Sequence, residues 1–148
     1  MPVTNLRYFN IYGPRQTGES AMHNFIEKAR QGETLTIYGD GLQVRSWCYV
    51  QDAVEATLLA ASEKNAIGEV FNIGNPKTAV TIASLAELII RLVDSRSKIQ
   101  YVPKGFADVE LRIPDITHAK KVLGYSPKID LEEGIKKTAK WFKDKEGN

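Results

Sequence analysis

The sequence predicts an α/β fold, and three observations carry that prediction. Runs of strand length, rich in β-branched and aromatic residues, alternate with segments whose apolar residues recur at helical spacing. Turn and capping residues separate the two kinds of segment, with no repeat, low-complexity stretch or long internal linker. The chain has 148 residues, 43% of them hydrophobic, enough for one domain with its own core but not for two; residues 1–148 are read as a single domain.

The strand-like runs are Val3–Phe9, Thr34–Tyr38, Arg45–Val50, Glu69–Ile73 and Lys98–Val102. Ser20 is placed to cap a helix that carries Met22, Phe25, Ile26 and Ala29 on one face and stops at Gly32. Gln51 or Asp52 opens a second helix, with Val54, Thr57, Leu58 and Ala61 expected to face inward. Thr81 precedes a strongly apolar helix through Leu85, Leu88, Ile89 and Leu92, ending near Asp94. Asp115 is read as the cap of a short helix bearing Ile116, Ala119 and Leu123 and closed by Gly124. Asp130 and Glu133 have the spacing of a capping box, and the helix behind them aligns Leu131, Ile135, Thr138 and Phe142.

Charged residues make up 26% of the chain and the net charge is +2, ordinary values for a globular protein. Residues 1–74 sum to −2 and residues 75–148 to +4. The lysine excess lies mostly between Lys120 and Lys145 on expected helix, which reads as a solvated face rather than a nucleic-acid footprint. No apolar run is long enough to cross a bilayer and the N-terminus has no charged-then-apolar signal pattern, so a cytoplasmic location without a membrane partner is expected. A single cysteine, Cys48, forms no internal disulfide and supplies no metal-ligand spacing.

Several kinds of catalytic chemistry lack a signature. Two histidines and one cysteine cannot close a zinc site alone. His23 and His118 both fall in expected first turns of helices, where surface or packing roles are ordinary. The eleven glycines never take the spacing of a dinucleotide turn or a P-loop, and no tyrosine is followed four residues later by lysine.

The stretch "TIYGDGLQVRSWCYVQDAV" (36–54) packs aromatics, a glycine turn and one arginine into a short length of chain. Together with "LRYFNIYGPRQ" (6–16), "GEVFNIGN" (68–75) and "RIPDITHAKKVLGYSPKIDLEEGIKKTAKWF" (112–142), it resembles the NAD-dependent nucleotide-sugar epimerases and dehydratases, which are extended short-chain dehydrogenases. The matches fall in family order and cover most of the chain; "RSWCYV" is similar to the UDP-glucuronate decarboxylase-like branch, beside the UDP-glucose 4-epimerase-like one. The resemblance implies an extended Rossmann-type α/β fold represented by its C-terminal, substrate-binding part. It lacks the N-terminal βαβ units whose glycine-rich turn holds NAD and whose Tyr-x-x-x-Lys pair supplies the base. NAD is therefore expected in the complete protein, with its binding elements mostly absent here.

The same resemblance assigns residues. Arg45 and Arg112 match the arginines that grip the substrate diphosphate, a task suited to planar guanidinium groups. Asp115 matches an acid that accepts from the nucleotide ribose, although Pro114-Asp115 is also an ordinary helix start. Tyr38 matches the aromatic lying against the pyrimidine, with backbone near Thr36 reading the base edge. Asn10 matches an amide beside the phosphate and sugar, and Tyr8 and Phe9 line the nicotinamide end of the cleft. No residue of this chain is assigned a catalytic role.

Three functions follow as expectations. The first is the substrate-binding portion of a UDP-sugar epimerase or dehydratase, inactive alone. The second is a non-catalytic nucleotide-sugar-binding module, and the third a ligand-free assembly domain. With the family's dinucleotide sheet missing, Val3–Phe9 and Glu69–Ile73 would expose open edges, so a homo-oligomer or a docked N-terminal half is the expected partner beside a nucleotide-diphosphate sugar.

Overall fold

The computed structural model describes residues 1–18, 20–105 and 107–146. In chain order the elements are β1 (Asn5–Tyr8), β2 (Ile11–Tyr12), α1 (Ala21–Gln31), β3 (Leu35–Tyr38), β4 (Val44–Arg45), β5 (Cys48–Tyr49) and α2 (Val50–Ser62). There follow β6 (Val70–Ile73), β7 (Val80–Thr81), α3 (Ile82–Leu92), β8 (Ile99–Val102), β9 (Leu111–Arg112), α4 (Thr117–Leu123) and α5 (Leu131–Glu146). Pairing is mostly parallel, as helix-connected strands require: β1 with β6, β2 with β5, β3 with β8 and β4 with β9, only β7 running antiparallel to β4.

The three amphipathic helices form where their stripes and caps dictate. Ser20 accepts from the His23 amide and Gly32 takes the left-handed conformation that closes α1, while Thr81 caps α3 through Ser84. Their apolar faces meet over β3: Met22, Phe25, Ile26, Leu85, Ile89, Ile135 and Phe142 join Leu35 and Ile37 in the larger core. A smaller core gathers Phe71 and Ile73 of β6 with Ala56 of α2, Ala119 and Leu123 of α4, and Tyr125. Asp130 caps α5 by accepting from the Glu133 amide at 2.8 Å, whereas the Glu133 carboxylate pairs with Lys137 at 2.6 Å.

Four expectations need correction. The run Arg45–Val50 is not one strand: β4 and β5 belong to different sheets and the helix α2 already begins at Val50. Asp52 does not cap α2 but lies buried inside its first turn, where its carboxylate accepts from the Lys128 and Ile129 amides at 3.0 and 3.2 Å and pins the segment leading into α5. Val54, Thr57, Leu58 and Ala61 all face outward, and small Ala53, Ala56 and Ala60 form the buried stripe instead, packed in the smaller core with residues of α4. In addition, α4 starts two residues after Asp115, whose carboxylate bonds the Thr117 amide at 2.8 Å as an Asx turn ahead of the helix.

Candidate functional site

A cleft of about 450 Å³ opens between the outer face of α1, strands β3 and β4, and the segment joining β8 to β9. Asn10, Thr36, Tyr38 and Arg45 all line it, brought together from three separate parts of the chain. Each owes its position to local structure. In β3 the pleat buries Leu35 and Ile37 and turns Thr36 and Tyr38 the other way. Bonds from the Leu35 and Gly39 amides to β8 fix that strand's pairing; by the parallel pattern the Thr36 amide and carbonyl point away from β8, toward the open edge. Asn10 stands at φ 42° just beyond β1 and donates to the Ser46 carbonyl at 2.7 Å, which leaves its side-chain carbonyl available as an acceptor.

Arg45 is 6% exposed and tightly held. Its Nη1 donates to the carbonyls of Val44 (2.8 Å) and Glu110 (3.4 Å), and its Nη2 to Asp108 Oδ1 at 2.8 Å. The other carboxylate oxygen of Asp108 meets Lys104 Nζ at 3.2 Å. Partial desolvation pushes the Asp108 carboxyl up, but the bonds from Lys104 and the Val109 amide and the charge of Arg45 outweigh it and hold it below the usual carboxylate value. Arg112 is the register partner of Arg45 across β4 and β9, so both side chains leave the sheet on one face, but Arg112 is exposed and does not line the cleft, so the expected convergence of the two arginines is not seen there.

The remaining expected residues stand outside this cleft. Asp115 is exposed and its acidity is strengthened by the Thr117 side-chain and backbone bonds it accepts; its own backbone carbonyl accepts from Asn72 Nδ2 at 3.0 Å. Tyr8 is 49% exposed with its hydroxyl 2.7 Å from that of Thr57, and half-buried Phe9 follows it at the end of β1, its amide bonded to Ile73. Sequence reasoning missed Lys104, Asp108 and the polar side of α1, where Ser20, Asn24 and Lys28 line the cleft. Their four-residue spacing opposite the apolar stripe is visible in the sequence, but nothing there distinguishes a cleft-facing polar stripe from a solvated one.

A mostly parallel-stranded α/β domain with helices packed on its strands is an architecture of Rossmann-like proteins. The chain belongs to the NAD dependent epimerase/dehydratase family, which residues 1–74 match. It is 43% identical to the UDP-N-acetyl-alpha-D-glucosaminuronate decarboxylase of Bacillus cytotoxicus, over 100% of this chain and 48% of that protein. Among solved structures it is similar to the UDP-glucose 4-epimerase of Thermotoga maritima with UDP-glucose (TM-score 0.88, 40% identity, covering 95% of this chain and 45% of that one). It is also similar to the UDP-glucuronic acid 4-epimerase of Bacillus cereus in complex with UDP-glucuronic acid and NAD (TM-score 0.90, 32% identity, covering 97% and 46%). The chain thus spans about half the length of the relatives it matches.

Proposed function

We propose that this chain is the C-terminal, nucleotide-sugar-binding portion of an NAD-dependent epimerase or dehydratase that acts on a UDP-sugar. The observation that carries this reading is the convergence of Asn10, Thr36, Tyr38 and Arg45 on one cleft, whose volume of about 450 Å³ lies in the range of small-molecule sites. The names of the relatives support the ligand class, since they act on or were solved with UDP-sugars.

In this reading each group does one physical task. Tyr38 offers its ring to the uracil face, and the outward-pointing Thr36 amide and carbonyl read the base edge, so the base is held by stacking plus backbone bonds. Arg45, fixed by two carbonyls, binds the diphosphate, and Asn10 takes the amide position beside the phosphate and sugar; Arg112 and Asp115 stand outside the cleft, so neither is given a contact with a ligand held there. The family is NAD dependent, and NAD supplies its hydride chemistry. The residues of this chain do not fit the dinucleotide: its glycines form no G-x-G-x-x-G turn, and only Tyr8 and Phe9, at the end of β1, match the nicotinamide rim. This chain's part is therefore to bind and orient the sugar nucleotide, and the cytoplasmic setting expected from the sequence suits such a soluble substrate.

Calorimetry with UDP, UDP-glucose and UDP-glucuronic acid tests the reading. Binding is expected with Tyr38→Ala weakened by about 1–3 kcal/mol, the worth of one stacked base, and with no turnover by the chain alone. Absence of heat with all three compounds would discard the ligand assignment, and turnover by residues 1–148 would discard the division of labour.

A further inference from the structure

We propose that Asp108 holds the place of the substrate diphosphate between Arg45 and Lys104, and that an arriving diphosphate exchanges with its carboxylate; this rests on reading the cleft as a nucleotide-sugar site. The three side chains line the same cavity. The carboxylate gives one oxygen to each cation, 2.8 Å to Arg45 Nη2 and 3.2 Å to Lys104 Nζ, as two oxygens of a bridging phosphate would. Two cations converging on a partly enclosed space repel each other unless an anion lies between them, and in the ligand-free cleft Asp108 is that anion.

A permanent strut that merely aims Arg45 is the competing role. The guanidinium is already aimed without Asp108, because the Val44 and Glu110 carbonyls fix Nη1 from the strand side. Arg45 is nearly buried, whereas the side chains of Lys104 and Asp108 are 23% and 24% exposed, so the acid and the lysine can rearrange around a stationary arginine. The Val109 amide also bonds Asp108 Oδ1 at 2.8 Å, an interaction that water can replace once the carboxylate turns to solvent. A dianionic diphosphate carries more negative charge to the two cations than one carboxylate does. A neutral nucleoside has nothing to exchange.

The test measures binding of inorganic pyrophosphate, UDP and uridine to the wild-type chain, Asp108→Asn and Lys104→Gln. Exchange predicts that Asp108→Asn binds pyrophosphate and UDP about tenfold tighter, with uridine unchanged, once the competing internal anion is gone. Lys104→Gln should weaken both anions and leave uridine alone. Unchanged or weaker anion binding by a folded Asp108→Asn variant would establish the strut and overturn the exchange. Should that variant not fold, Lys104→Gln decides alone, and unaltered pyrophosphate affinity sinks the proposal. Pyrophosphate responding as expected while UDP fails to bind would remove the nucleotide-sugar reading and leave the exchange standing. Binding of UDP without the Asp108 effect would do the reverse, and no binding of either anion removes both.

Discussion

Cys48 lies fully buried against the hydroxyl of Tyr125, and burial pushes its thiol up to about 11 from 9.0. Burial likewise raises the phenols of Tyr12 and Tyr125, since a phenolate there would be desolvated beside the Cys48 sulfur. A group with a raised folded value binds its proton more tightly in the folded chain, so its stabilisation is complete below its unfolded value and is lost as pH climbs through the folded one. For Cys48 that window runs from pH 9.0 to about 11. Melting temperature is therefore expected to hold near neutrality and to fall steadily above pH 9.0, and iodoacetamide at pH 8 should label Cys48 only in denaturant. Rapid labelling of the native chain would contradict the burial argument. Cys48 was legible as an isolated thiol but not as a buried one, because its burial is set by Tyr125, far along the chain, and no local pattern records that contact.

At the scale of elements, α5 packs closely on Tyr12 and Tyr49 at Gly134. A Cβ there would collide with the Tyr12 hydroxyl and come within 3.1 Å of Tyr49 Cδ2. The tyrosine tip rests in the space left by the missing side chain, with its hydroxyl 3.4 Å from the Leu131 carbonyl. In an isolated helix Gly134→Ala would stabilise by about 1 kcal/mol; here it is expected to destabilise by about 1–3 kcal/mol in urea titration, because overpacking outweighs propensity. Adding Tyr12→Phe should restore part of the loss by removing the colliding oxygen, and a simple gain from Gly134→Ala would refute the close packing. The long helices α1, α3 and α5 were readable because each carries an apolar stripe and a capping residue within its own length. The two-residue strands β2, β7 and β9 were not, and β4 and β5 merged into one run, since two residues show no periodicity and their pairing is remote, as in Arg45 with Arg112. For the same reason Arg45 could be singled out from its surroundings in the chain, while Lys104 and Asp108, which complete its ion pairs, could not.

For the whole molecule, the misjudged face of α2 is informative. Helical spacing put Val54, Thr57, Leu58 and Ala61 inward, yet all four are exposed, Val54 and Leu58 at 52% and 66%, while alanines fill the face toward the smaller core. Tyr8, joined through Thr57 to the same helix, is also exposed, and among the described strands β1 pairs only with β6, so its second edge is open. An apolar helix face beside an open strand edge requires a cover. The part of the relatives' length that this chain does not span is one source of such a cover. In the isolated chain the surface remains, and a second copy is the available partner. Sedimentation at micromolar concentration should show self-association that weakens with dilution, and Leu58→Lys with Val54→Ser should shift the chain to monomer while leaving its melting temperature within about 2 °C, because neither side chain contributes to the cores. A wild-type chain that sediments as a monomer would mean that this face tolerates water. The association seen with wild type but not with the double variant would locate the missing cover on the outer face of α2, on a different part of the chain from the cleft-lining residues.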